Sequence, residues 1–126
     1  MNRSLNFNPE FVTKTIFPDV DRSIINFGRC FIWAYSAHLI FANVKLCSID
    51  CHAFVKYKGK FYDSDRPQGV LHWDALPASS FTMFKSYRSH RVSDFKKEWG
   101  KQPARFKTSW KEIERKALQA LHILQS

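Results

Sequence analysis

Residues Gly28 to Asn43 read GRCFIWAYSAHLIFAN. Behind a glycine, an arginine and a cysteine, the apolar residues Phe31, Ile32, Trp33, Ala34, Tyr35, Ala37, Leu39, Ile40, Phe41 and Ala42 fall on every side of a helix. Such a helix is buried all round. Cys30 stands at its first turn. There the N–H groups that a helix cannot pair and the positive end of its dipole converge, and both favour a thiolate. That is the position of a nucleophile, although a free cysteine is also commonly a small buried apolar residue.

The flanks suit a helix set on a small sheet. Residues 1–27, with Asn2, Asn6, Asn8, Pro9, Pro18 and Asp19, read as an irregular arm holding one short element around Phe11–Phe17, which Pro18 ends. Asn26 to Arg29 is the turn that presents Cys30. Beyond Asn43 the pattern becomes extended. Val44 to Tyr57 is expected as one arm of a β-hairpin, Lys58-Gly59 as its turn and Lys60 to Asp63 as the second arm. After a turn at Arg66-Pro67-Gln68-Gly69, Val70 to Trp73 is expected as a further strand. The remainder reads as helix and loop. Ser93 or Asp94 caps a helix through Trp99 that Gly100 stops, and Gln102-Pro103 marks a loop. Ser109 and Glu112 form a capping box for a last helix to about Leu124, whose apolar face is Trp110, Ile113, Ala117, Leu118, Leu121 and Leu124. The expected fold is α+β in a single domain: a 28–77 core with an N-terminal arm before it and a basic helical part, 78–126, after it.

With 126 residues, 44% apolar and 16% aromatic, the chain has material for a real core. Its net charge of +9 is concentrated at one end: residues 85–116 carry eleven Lys and Arg against four Asp and Glu. Lys85, Arg88, Arg91, Lys96 and Lys97, interleaved with Phe84 and Tyr87, suit contact with nucleic acid or an acidic protein, or form a solvated face. The apolar run from Phe31 to Val44 is broken by Ser36, His38 and Asn43, which excludes a bilayer span. No signal-peptide pattern opens the chain, and three cysteines cannot all pair, so a cytoplasmic protein with reduced thiols is expected.

Cysteine, histidine and aspartate then occur in an order that acyl transfer can use. A thiolate at Cys30 attacks a carbonyl, His52 shuttles the proton to the leaving group, and a carboxylate on the pairing strand holds the imidazole tautomer. The backbone N–H of Cys30 is the natural oxyanion donor, and the Asn26 amide is a second candidate. Which carboxylate serves depends on hairpin register. A two-residue loop at Lys58-Gly59 sets Asp65 opposite His52, with Asp63 one pair along on the same face; a three-residue loop sets Ser64 there and turns Asp63 away.

Gly28-Arg29-Cys30-Phe31-Ile32-Trp33-Ala34 resembles the nucleophile motif of transglutaminase-like proteins and the related cysteine-tryptophan-alanine run of papain-like peptidases. His52-Ala53-Phe54-Val55, Gly59 and Phe61-Tyr62-Asp63-Ser64 are similar to the family's histidine strand, glycine turn and aspartate strand. The two motifs span residues 28–64. With only 21 residues between Cys30 and His52 this would be a minimal core, and residues 22–27 lack the glutamine that papain-like members carry upstream of the nucleophile. The resemblance implies Asp63 as the orienting carboxylate, with Asp65 in reserve. It also implies a cysteine peptidase or amidase acting on a peptide or protein amide, or a crosslinking acyltransferase, with no cofactor.

Weaker candidates remain. Cys47, Cys51 and His52 have donors for zinc, but the spacing lacks a second pair and no metal is expected. Trp73, with Gly69, is a candidate wall of a substrate groove. His38, inside the apolar helix, reads as a hydrogen-bonded core residue. The alternative to an enzyme is a basic protein, an inactive relative of the fold included, that binds nucleic acid or a protein through residues 85–116.

Overall fold

The computed structural model describes residues 6–49, 52–76 and 87–126. Within them lie five α-helices: α1 (Pro9–Ile16), α2 (Arg22–Ile25), α3 (Cys30–Ile40), α4 (Val92–Trp99) and α5 (Trp110–Gln125). Four strands, β1 (Lys45–Ile49), β2 (His52–Tyr57), β3 (Lys60–Tyr62) and β4 (Arg88–His90), form one antiparallel sheet in the order β3-β2-β1-β4. The architecture is α+β. No helix among the described residues is long and apolar enough to cross a membrane.

The helix α3 is the centre of the packing, because its apolar residues leave it no polar face. Every residue from Cys30 to Ala37 is buried. It contacts β1 and β2 as well as α1 and α5. Phe31 stacks on Trp99 with ring centroids 5.5 Å apart, Tyr35 stacks on Phe95 at 5.9 Å, and Trp110 meets both Phe31 and Tyr35 edge-on. Each such side chain contributes roughly 1.5–3 kcal/mol by leaving water. Two polar groups that enter this core are paired: Trp33 Nε1 donates to Thr13 Oγ1 at 3.0 Å, and the Tyr35 hydroxyl donates to Glu114. His38 Nδ1 lies 2.6 Å from the Val44 carbonyl oxygen, in the role expected of it.

Local signals account for most boundaries. Asn8 caps α1 by accepting the Phe11 N–H, Pro9 occupies its first turn, and the helix closes at Phe17 before Pro18. Ser109 Oγ accepts the Glu112 N–H at 3.1 Å and opens α5. The Lys58-Gly59 turn has φ of 48° and 82° and pairs Tyr57 with Lys60, so the loop has two residues.

Several expectations need correction. Val44 to Tyr57 is two antiparallel strands rather than one arm: Lys45 faces Lys56 and Ile49 faces His52. The unbroken apolar pattern hid the reversal, because both strands are buried on both faces. Val70 to Trp73 forms an isolated bridge from Val70 to Phe61 and then a 3₁₀ turn, Trp73–Ala75, since a single pair cannot extend once the chain bends at His72. Arg88–His90, expected in a helical and loop-like part, is the edge strand β4. Neither Ser93 nor Asp94 caps α4; Arg91 precedes its first residue, and Asp94 sits in the first turn and pairs with Arg91 at 3.3 Å. Residues 102–106 form a 3₁₀ helix around Pro103, and the N-terminal arm gains a one-turn helix, α2, capped by Asp21.

Candidate active site

The α3 N-terminus and the middle of the sheet meet where β3 ends. In the β1–β2 ladder, N–H groups of β2 point alternately to β1 and to β3. The last β2–β3 pair is Val55 with Tyr62, so the Ala53 N–H, on the β3 side, has lost its strand partner. Cys30 Sγ takes that place and accepts the Ala53 N–H at 3.4 Å. The sulfur thus caps the open end of the ladder.

His52 is the first residue of β2, beside Ala53. Its Nε2 lies 3.1 Å from Asp63 Oδ2, on the first residue past β3. A carboxylate only accepts, so Nε2 carries the proton and neutral His52 keeps its lone pair on Nδ1. Nδ1 is buried and makes no hydrogen bond of good geometry among the described residues. Burial opposes a charge on His52, but the hydrogen-bonded Asp63 and the nearby Cys30 outweigh it, raising the imidazole from 6.5 to about 9. Cys30, His52 and Asp63 are only 2%, 4% and 1% exposed.

The turn after β3 determines which aspartate meets the histidine. Continued in register, the two-residue loop would set Asp65 opposite His52, but the ladder stops at Tyr62 and the chain turns at Ser64 and Asp65. Asp63 is left facing His52, and its Oδ1 accepts the Asp65 N–H at 2.9 Å. Asp65 Oδ2 instead accepts from Asn26 Nδ2 at 3.0 Å. Burial, and next the charge of Asp63, raise the Asp65 pKa above the usual carboxylate value. The reserve carboxylate therefore does not touch the imidazole. Asn26, expected as an oxyanion donor, is instead a brace: it donates to Asp65 and accepts from Ser64 Oγ at 3.4 Å, joining the approach to Cys30 to the turn beyond Asp63.

Trp73 is partly buried against a second cluster, Cys47, Ile49, Phe54, Phe61 and Leu76, on the face of the sheet that also carries His52, whose ring stacks on Phe54 at 5.7 Å. Gly69, at φ +80°, gives the Tyr62 ring room: a Cβ there would lie 2.7 Å from it. Of the basic residues, Arg88 pairs with Glu98, Arg91 with Asp94 and Lys96 with Glu114, so these three cations are already partnered; Lys97 lies beside Arg88 and Glu98. Lys85, Phe84 and Cys51 lie outside the described residues. Tyr87 packs edge-on against Phe54 and Phe61 instead of standing free for stacking. Cys47 is pushed up to about 11 by burial. Among the described residues no three His, Cys, Asp or Glu side chains are grouped to hold a metal ion.

Sequence reasoning missed the Ala53 N–H as a partner of the thiol and Asn26 as a brace. The first needs the β3 end point, which only the folded turn supplies. No protein-family model, curated protein or solved structure matches the chain significantly.

Proposed function

We propose that this chain is a cysteine-dependent acyl-transfer enzyme, most simply a peptidase or amidase, built on a minimal papain-like or transglutaminase-like core. The observation that carries the reading is the His52 ring, held by Asp63 through Nε2 with Nδ1 left to serve a thiol. Cys30 gives its proton to His52, and the thiolate attacks the carbonyl carbon of a peptide or side-chain amide. N–H groups of the first turn of α3 stabilise the oxyanion. The imidazolium then protonates the departing amine, leaving a thioester on Cys30. Water, losing a proton to His52, attacks the thioester; the carboxylic acid departs and the thiol is restored. An amine in place of that water would make the same residues an acyltransferase.

A second reading, a binding protein that keeps this core as a scaffold, is favoured by the burial of Cys30 and His52. Alkylation by iodoacetamide, read peptide by peptide across pH 5–9, separates the two. Under the enzyme reading Cys30 reacts well below pH 7, faster than Cys47, and slows at least about tenfold in His52→Ala. Cys30 reacting no faster than Cys47 would leave the scaffold reading.

A further inference from the structure

Between α1, α3 and α5 lies a cavity of about 180 Å³. Its floor is α3 and the residue before it: Arg29, Ile32 and Ser36 lie at helical spacing, a stripe distinct from that of Cys30, Ala34 and Ala37. Ser36 is 0% exposed, and its hydroxyl has no hydrogen-bond partner among the described residues. A buried hydroxyl is rarely left unpaired without a reason. Here it lines a space large enough for a ligand.

The walls say which ligand. Arg29 and Lys116 are both at this cavity, neither makes an ion pair among the described residues, and no acidic residue lines it. Arg29 is held in position: its guanidinium lies 4.7 Å from the centre of the Phe106 ring. That ring in turn packs on Gly28, where a Cβ would come within 3.0 Å of it. Thr108 adds a hydroxyl and Ile32 an apolar surface. We propose that this cavity binds a small monocarboxylate with a short apolar or aromatic body, the carboxylate between Arg29 and Lys116 and the Ser36 hydroxyl as a donor to the ligand. A guanidinium suits a carboxylate's two oxygens, and the apolar wall selects against a bare inorganic anion. The inference does not depend on the acyl-transfer reading, because none of these side chains belongs to the Cys30 cluster.

The test is calorimetric titration of the full chain with benzoate and hexanoate, backed by amide chemical-shift mapping. Saturable binding is expected, with shifts at Arg29, Ser36 and Thr108 and affinity at least about tenfold lower in Lys116→Gln and Arg29→Gln. Benzamide, the neutral counterpart, should bind at least about tenfold more weakly than benzoate, and inorganic phosphate should not compete. Lys116 is exposed, so its variant retains the fold and decides the matter even where Arg29→Gln does not. The proposal is overturned if neither carboxylate binds by about 10 mM. It is equally overturned if benzamide binds as well as benzoate, if phosphate competes, if Lys116→Gln binds undiminished, or if the shifts map elsewhere.

Discussion

His52 holds opposing influences in one ring: burial disfavours its charge, while Asp63 and Cys30 favour it strongly enough to raise its pKa to about 9. Removing the carboxylate's charge while keeping its shape should reverse much of this. In Asp63→Asn the His52 titration, followed by NMR of the ring carbons and nitrogens, is expected to fall by at least about one unit. An unchanged titration would mean that Asp63 does not control the ring. The raised value also carries a stability consequence. A histidine whose folded pKa exceeds its ordinary 6.5 contributes stability in full below that pH and loses it as pH rises through about 9. Denaturant midpoints should therefore decline between pH 6.5 and 9 by an amount worth on the order of 1–3 kcal/mol, and His52→Gln should lack that decline.

At the level of elements, the β2–β3 turn is less favourable than its geometry allows. Lys58 adopts φ 48° in a two-residue hairpin loop whose first position favours asparagine or glycine. Lys58→Asn should stabilise the chain by about 0.5–1 kcal/mol, read as a raised thermal midpoint. Gly69 is the opposite case, because both its φ of +80° and the Tyr62 ring exclude a side chain. Gly69→Ala is expected to cost about 1–3 kcal/mol and to disturb the β3 end from which Asp63 is presented. A neutral result would show that the segment shifts freely. Asn26 ties α2 to that same turn, so α2, short as it is, takes part in placing the carboxylate.

Across the whole molecule the central fact is that the candidate nucleophile is buried. A substrate therefore requires an opening, and the local stability of its surroundings determines how costly that is. Cys30 follows the α2–α3 turn, which Asn26 joins to the Ser64–Asp65 turn, whereas Cys47, on β1, lies between β2 and β4 in the middle of the sheet. Without denaturant, Cys30 should be alkylated at least about tenfold faster than Cys47, and low urea should widen its access before the cooperative transition. Equal rates for both thiols would mean that they are reached only by global unfolding, and the enzyme reading would fall. The basic C-terminal part is likewise a matter of whole-molecule arrangement, since Glu98 of α4 and Glu114 of α5 pair Arg88 and Lys96, which lie ten and eighteen residues away along the chain.

Residues 28–43 by themselves determined that a buried helix begins at Cys30, because an apolar surface on every side leaves no other way to exclude water. The capping box at Ser109, the end of α1 before Pro18 and the Lys58-Gly59 reversal were also legible, each being decided within a few residues by backbone chemistry. The division of Val44 to Tyr57 into two strands and the pairing of Arg88–His90 with β1 were not, since a strand's partner lies far along the chain and periodicity does not name it. For the same reason only the tertiary structure decided between Asp63 and Asp65. Hairpin register alone favours Asp65; the early end of β3, the turn it releases and the brace from Asn26 bring Asp63 to His52 and seat Cys30 on the N–H that β3 leaves behind.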